Sequence, residues 1–100
     1  MADFLVLMHD DVPEETSDRD ADWEPYISKL QASGHFVGGS AIGAGVCVRK
    51  AGAAPSTTGH LTGFIRIEAD SLSQARSLLA GNPTFEAGGT VEIRELPRTE

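Results

Sequence analysis

The chain has 100 residues, 40% hydrophobic and 23% charged, which is the composition of a single globular domain. Its formal net charge of −7 argues against a broad basic surface for nucleic acid or an anionic membrane. No stretch approaches the ~20 apolar residues of a membrane span, and the N-terminus lacks the basic start of a signal peptide. We therefore expect one cytoplasmic domain, residues 1–100, that binds neither nucleic acid nor membrane.

The first predicted element is a strand over Asp3–His9. Its residues alternate between two sets that are both mainly apolar: Phe4, Val6 and Met8 on one face, and Leu5, Leu7 and His9 on the other. Two apolar faces are typical of a strand that is covered on both sides. We therefore expect this strand in the middle of a sheet.

Most of the negative charge lies between Asp10 and Glu24, where eight acidic residues stand against Arg19 alone. The run lacks the D-x-D-x-D-G spacing of a calcium loop, and the chain lacks the cysteine and histidine spacing of a zinc site. A solvated acidic surface is the favoured interpretation, and we expect no metal and no cofactor.

A helix is predicted next, from apolar residues at spacings of three and four: Trp23, Tyr26, Ile27 and Leu30. Pro25 is harmless only in the first turn of a helix, so we place the start near Asp22; a kink at Pro25 is the alternative. Gly34 ends the helix.

The middle of the chain is predicted as two strands separated by glycine-rich breaks. His35–Ile42 is the first, and Gly38 and Gly39 within it indicate a bulge or the close approach of a ligand. Val46–Arg49 is a second, short strand, and a loop follows it. Cys47, the only cysteine, lies between valines, which fits inert packing and a reducing compartment.

A strand and a second helix follow this loop. Leu61–Ile67 alternates with a period of two, and Ser71 with Gln74 forms a capping box at the start of the helix. The side of this helix that we expect to lie on the sheet carries Leu72, Ala75, Leu78 and Leu79.

The end of the chain predicts a last strand. Gly81 stops the second helix, and Pro83 prevents its resumption. Thr90–Leu96 then alternates again, with Val91 and Ile93 on one face.

The predicted order is β-α-β-(short β)-β-α-β, which is typical of an α+β ferredoxin-like plait. In this plait a four-stranded antiparallel sheet carries two helices on one face. Several residues that would project from the other face are apolar, including Phe64 and one set of the first strand. Because a second copy usually covers such a face, we expect a homodimer packed sheet to sheet.

Two groups of short motifs run through the chain. The second half carries L-x-G-F-x-x-I-E-A-D-S-L-x-x-A, N-P and G-G-T-V-E-I-R-E-L. The first half carries F-L-V-L-M-H-D-D, a tryptophan-bearing helix, A-S-G-H-F-V-G-G-S-A-I and V-C-V-R-K-A-G. Over nearly its whole length the chain therefore resembles YCII-related proteins, in particular the subgroup with a DGPF motif. The resemblance implies a dimeric α+β barrel.

What the resemblance implies about activity is limited. Many members are uncharacterised, some are encoded near alternative sigma factors, and at least one branch acts on chlorinated aromatic breakdown products. In the YCII branch, a histidine on the first helix and an aspartate after the second helix are thought to form a catalytic pair. This chain has Trp23 and Asn82 at those positions, and residues 53–59 replace the DGPF tetrapeptide.

Three residues are candidates for acid–base catalysis: His9, Asp10 and His60. Neighbouring carboxylates favour the charged form of His9, which suits proton transfer in a cleft. His60 begins a strand after a loop and could meet His9 or Ser40 at one end of the sheet. The alternative is that both histidines are exposed strand ends without a catalytic role.

Three residues are candidates for ligand binding: Trp23, Tyr26 and Ser40. The two aromatic residues would line a pocket between helix and sheet for a flat organic ligand, although their spacing also fits a core. Two functions are consistent with the sequence. One is an acid–base enzyme acting on a small organic molecule in a helix–sheet cleft. The other is a non-catalytic module that binds a ligand or a protein in stress or transcriptional regulation.

Overall fold

The computed structural model describes residues 1–13 and 20–98. The described elements are, in chain order, β1 (Ala2–His9), α1 (Asp20–Ser33), β2 (Phe36–Ala41), β3 (Leu61–Ala69), α2 (Leu72–Ser77), α3 (Pro83–Glu86) and β4 (Val91–Leu96). The strands form one antiparallel sheet in the order β2-β3-β1-β4. This order, with helices on one face, is the ferredoxin-like arrangement. The predicted fold class is therefore confirmed.

The core lies between the helices and one face of the sheet. The buried side chains on that face come mainly from the two central strands: Phe4, Val6 and Met8 on β1, and Ile65, Ile67 and Ala69 on β3. Tyr26 and Leu30 of α1 pack onto them, as do Ala75 of α2 and Leu79 just after it. The alternation separated the two sets of side chains in β1 and β3 correctly, and the structure shows which set of β1 faces the helices.

The opposite face of the sheet carries no helix of the described chain, and we call it the open face. Its side chains follow from the strand register: Leu5, Leu7 and His9 on β1, Thr62, Phe64 and Arg66 on β3, and Glu92 and Arg94 on β4. Leu5, Leu7 and Phe64 are half-buried in the single chain, so the centre of this face is apolar and its ends are polar.

The first helix begins earlier than the sequence predicted. It starts at Asp20, so that Pro25 lies beyond the first turn, where it removes one backbone hydrogen bond. Burial of Tyr26 and Leu30 stabilises the helix in spite of this loss, because packing contributes more to a short helix than intrinsic propensity does. The predicted end of the helix is confirmed by Gly34, which has a positive φ of 81°.

The second helix has the predicted start but is shorter. The Gln74 N–H donates to Ser71 Oγ at 3.1 Å, and Gln74 Oε1 accepts from the Asp70 N–H at 2.6 Å, which is a capping box with its return bond one residue earlier. The helix ends at Ser77. Leu72 was expected on the sheet but is 53% exposed, because the first residue of so short a helix does not reach the sheet.

A third helix was not predicted, and the reading of Pro83 was wrong. Pro83 is the first residue of α3, where its missing N–H has no partner to lose. Asn82 caps this helix by accepting a hydrogen bond from the Phe85 N–H at 3.1 Å.

The predicted strand at Val46–Arg49 does not form. Residues 43–59, which we call the arm, contain no regular secondary structure and no buried residue. Within the described chain they make no hydrogen bond. A strand needs a neighbouring strand to pair with, and no described strand pairs with Val46 or Val48.

The close packing of β2 on β3 gives a test of the fold. A Cβ added to Gly39 would lie 2.6 Å from the backbone oxygen of Phe64, whereas one added to Gly38 would meet nothing within 4 Å. We expect Gly39→Ala to lower the free energy of unfolding by about 1–3 kcal/mol, because the strands must separate. Gly38→Ala, the matched control, should change it by less than about 1 kcal/mol in urea unfolding. Equal effects would contradict this register.

Candidate functional site

Two predicted catalytic residues meet at one end of the sheet, on the open face. The rings of His9 and His60 lie edge to face, with their centroids 4.9 Å apart and an interplanar angle of 69°. Backbone pairing fixes this contact, because His9 lies opposite Leu61 and the Asp10 N–H donates to the His60 carbonyl at 2.6 Å. The sequence had left open whether these histidines meet.

A carboxylate that the sequence had not singled out completes the cluster. His9 Nε2 lies 2.9 Å from Glu92 Oε1, although the two residues are 83 positions apart. Glu92 of β4 pairs with Leu7 of β1. Since Leu7 and His9 point to the same face of β1, the side chains of Glu92 and His9 share the open face. The two side chains are 34% and 20% exposed, so the pair is partly shielded from water. We call His9, His60 and Glu92 the histidine cluster.

The charge state of Glu92 decides which nitrogen of His9 carries a proton. The hydrogen bond from His9 lowers the pKa of Glu92, and Arg94, whose Nη1 is 3.2 Å from Oε2, lowers it further. An ionised carboxylate only accepts hydrogen bonds, so Nε2 of His9 must be the donor. In the neutral ring the lone pair then lies on Nδ1, which is the nitrogen able to take a proton.

A second carboxylate near the cluster, which the sequence had not singled out, is that of Asp11. Asp11 Oδ1 accepts from the Thr90 N–H at 2.7 Å, and Oδ2 accepts from the Thr90 hydroxyl. These bonds lower the pKa of Asp11, and the proximity of His9 adds to them. Asp10 itself is exposed. Its backbone positions His60.

A cleft of about 430 Å³ lies between α1 and the strands β2 and β3, and its lining also reaches Thr62 and Phe64, whose side chains belong to the open face. Trp23 and Ser40, two of the predicted ligand-binding residues, line it. The remaining described lining is Met8, Ile27, Phe36, Gly39, Ala41, Thr62, Gly63, Phe64 and Ile65. No side chain among these is ionisable, so the described walls offer apolar contact and hydroxyl groups but no acid or base.

Tyr26, the third predicted ligand-binding residue, is in the core instead. Its hydroxyl donates to the Leu78 carbonyl at 2.8 Å, and burial raises its pKa. Its ring meets Trp23 edge to face at 6.0 Å. Asn82, which hydrogen-bonds to Tyr26, is fully buried and caps α3. Tyr26 and Asn82 therefore hold α1 against the chain that follows α2.

The described residues provide neither a metal-binding cluster nor a membrane-spanning helix. Residues 1–13 and 20–98 contain no cluster of three or more histidine, cysteine or acidic side chains that could hold a metal ion. None of the helices in this part of the chain has the length and apolar character needed to cross a membrane.

The lowered pKa of Glu92 gives a pH test. A folded-state pKa below the ordinary value of 4.5 means that the interaction stabilises the fold above that pH and is lost as the pH falls through the folded-state pKa. We expect Glu92→Gln to lower the free energy of unfolding most near neutral pH. In acid, the difference in the free energy of unfolding between the variant and the wild type should disappear. Glu95→Gln, on the same strand but without an ion pair in the described chain, should keep the wild-type pH profile in urea unfolding. A difference in the free energy of unfolding between Glu92→Gln and wild type that persists in acid would contradict this assignment.

Comparison with known proteins agrees with this architecture. No curated protein matches the chain. Among solved structures, 5-chloro-2-hydroxyhydroquinone dehydrochlorinase (TftG) from Burkholderia phenoliruptrix AC1100, in complex with 2,5-dihydroxybenzoquinone, is similar with a TM-score of 0.58 and 17% identity. The alignment covers 97% of this chain and 95% of that chain, and at this identity it supports the fold alone. The family model of the YCII-related domain matches residues 3–99. The chain belongs to the YCII-related family.

Proposed function

We propose that this protein catalyses proton transfer on a small organic molecule, with His9 as the group that takes and returns the proton. The observation that carries the proposal is the hydrogen bond from His9 Nε2 to Glu92. A histidine whose second nitrogen is held by a carboxylate is a common general base, because the carboxylate fixes the ring and stabilises the imidazolium ion. His35, by contrast, has no carboxylate partner in the described chain, because its Nδ1 contacts the backbone carbonyl of Glu68.

The roles within the histidine cluster follow from this geometry. Nδ1 of His9 removes a proton from the substrate, and Glu92 remains ionised throughout. His60 packs against the ring edge and limits its rotation, and its own ring is exposed and can contact the substrate. Asp10, the third predicted catalytic residue, has an exposed side chain, and its backbone N–H holds His60 in place.

The class of substrate is a small, flat and oxygenated molecule. Leu7 and Phe64 lie beside the cluster on the open face and offer apolar surface to a ring, while the cluster offers hydrogen bonds. The structural neighbour is named for a reaction on a chlorinated hydroxylated aromatic compound and was solved with 2,5-dihydroxybenzoquinone. We therefore choose a related ring compound as the substrate class to test here. The chemistry needs no metal or cofactor.

A second function is favoured by the cleft. Its largely apolar lining, which includes the indole of Trp23 and no ionisable residue, suits a flat ligand held without catalysis. A ligand-binding module of this kind would bind its ligand between α1 and the sheet, and His9 and His60 would have no role in it. The two candidates therefore differ in where a ligand binds.

A titration with 2,5-dihydroxybenzoquinone as the probe separates them. Trp23 is the only tryptophan, so its fluorescence reports on the cleft, and the ring C–H signals of His9 and His60 report on the histidine cluster. The acid–base proposal predicts that the histidine signals shift on binding. It also predicts that the protein accelerates exchange of the probe's ring protons with D₂O, and that His9→Gln lowers this rate by roughly 100-fold or more.

Two variants serve as comparisons. Glu92→Gln should lower the exchange rate while binding persists, and Ser40→Ala should leave it unchanged. Quenching of Trp23 without any shift of the histidine signals would favour the binding module. Absence of both signals would contradict both candidates for this class of ligand.

We also propose that the protein is a cytoplasmic homodimer packed through the open face. The support is the row of apolar side chains on that face, Leu5, Leu7 and Phe64, which the described chain leaves half-buried. A second copy would cover these residues and shield the histidine cluster from bulk water.

Light scattering tests the homodimer. We expect about twice the chain mass of 10.6 kDa at micromolar concentration, and dissociation by Leu7→Arg, which places a charge at the centre of the apolar row. Leu72→Arg is the control, because Leu72 is exposed on α2 at the other face. A monomer at every concentration would contradict the proposal.

A further inference from the structure

The arm, residues 43–59, exposes apolar side chains to an extent that a single chain does not explain. Val46 and Val48 are 80% and 82% exposed, more than any other large hydrophobic residue of the described chain. A Cβ added to any of the arm glycines, Gly43, Gly45, Gly52 or Gly59, would meet nothing within 4 Å. The arm therefore stands away from its own domain.

The dimensions of the molecule agree with this. Its radius of gyration is 15.1 Å, compared with about 13 Å for a compact chain of this length. It exposes 6797 Å² of surface, compared with about 5,500 Å² for a typical folded monomer of this mass. The excess of roughly 1,300 Å² exceeds the ~800 Å² that each partner contributes to a standard protein interface.

The arm and the domain carry opposite charge. Arg49 and Lys50 are the only charged residues of the arm, and they follow directly after Val48. The domain supplies exposed carboxylates at the start of α1, Asp22 and Glu24, on either side of Trp23. None of these four charged residues takes part in an ion pair within the described chain.

We propose that the arm of each copy docks on a second copy of this chain, with Val46 and Val48 buried and Arg49 and Lys50 facing acidic residues at the start of α1. The proposal rests on the homodimer proposed above. A second copy is the occupant because the same chain carries both the basic arm and the acidic helix start, and because a two-fold axis lets both arms dock at once. Electrostatic complementarity of this kind favours the correct partner.

Cys47 provides a direct test. It is the only cysteine, lies between the two valines and is partly exposed in the single chain, so its reaction rate with a thiol reagent reports whether the arm is covered. We expect this rate to fall at least 10-fold between protein concentrations at which light scattering gives the monomer and the dimer.

Substitutions on the arm test the contacts. Val46→Ser with Val48→Ser should restore the fast thiol reaction and weaken the dimer at least 10-fold, while circular dichroism stays unchanged because both side chains are exposed in the single chain. Leu72→Ser, on α2, should alter neither property. Arg49→Glu with Lys50→Glu should weaken the dimer. Asp22→Lys with Glu24→Lys should also weaken it, and combining the two pairs of substitutions in one chain should restore it.

The outcomes separate this proposal from the one on which it rests. A protein that stays monomeric at all concentrations overturns both. A dimer in which Cys47 reacts as fast as in the monomer, and in which the arm substitutions have no effect, overturns the role of the arm and leaves the homodimer intact.

Discussion

The pairing of β1 with a strand on each side is the constraint on which the rest of the structure depends. β3 pairs with one edge of β1 and β4 with the other, so residues from three distant parts of the chain meet along it. The buried side chains of β1 form the centre of the core against the helices. Its other side chains form the open face and end at His9, which this pairing brings beside Glu92 and His60.

The two faces of the sheet thus have different chemistry. The helix face is apolar and contains a cleft whose described walls have no ionisable group. The open face has an apolar centre and a polar end, where a carboxylate with a lowered pKa holds one nitrogen of a histidine. The proposed acid–base chemistry would therefore use the open face, whereas apolar binding without catalysis would use the helix face.

Most of the fold could be predicted because its strands alternate clearly. The order of the strands, however, decides which side chains meet, and alternation within one strand carries no information about order. Glu92 was missed for this reason. The alternation put its side chain on the face of β4 away from Val91 and Ile93, but its contact with His9 could be predicted only if β4 was known to lie beside β1. The ferredoxin-like order that the sequence already implied would have supplied this contact.

The errors have equally local causes. Pro25 was placed in the first turn of its helix and Pro83 was treated as a helix breaker, although Pro25 lies further inside a helix stabilised by packing and Pro83 begins one. The arm was assigned a strand from the alternation of its valines, but alternation does not create the neighbour that a strand requires. The positions at which the family resemblance suggested a catalytic pair hold Trp23 and Asn82, and Asn82 is a buried helix cap. Trp23 and Asn82 both pack on the helix side of the sheet, whereas the candidate for proton transfer lies on the open face.

The proposed function requires Glu92 to hold the proton of His9 on Nε2. Nitrogen-15 NMR of the imidazole ring, at a pH where the ring is neutral, measures this tautomer directly. The account predicts the Nε2–H form in the wild-type protein, with Nδ1 as the nitrogen that carries the lone pair. A His9 ring protonated on Nδ1 would contradict the account, because Glu92 would then have no donor and His9 could not act as the base described.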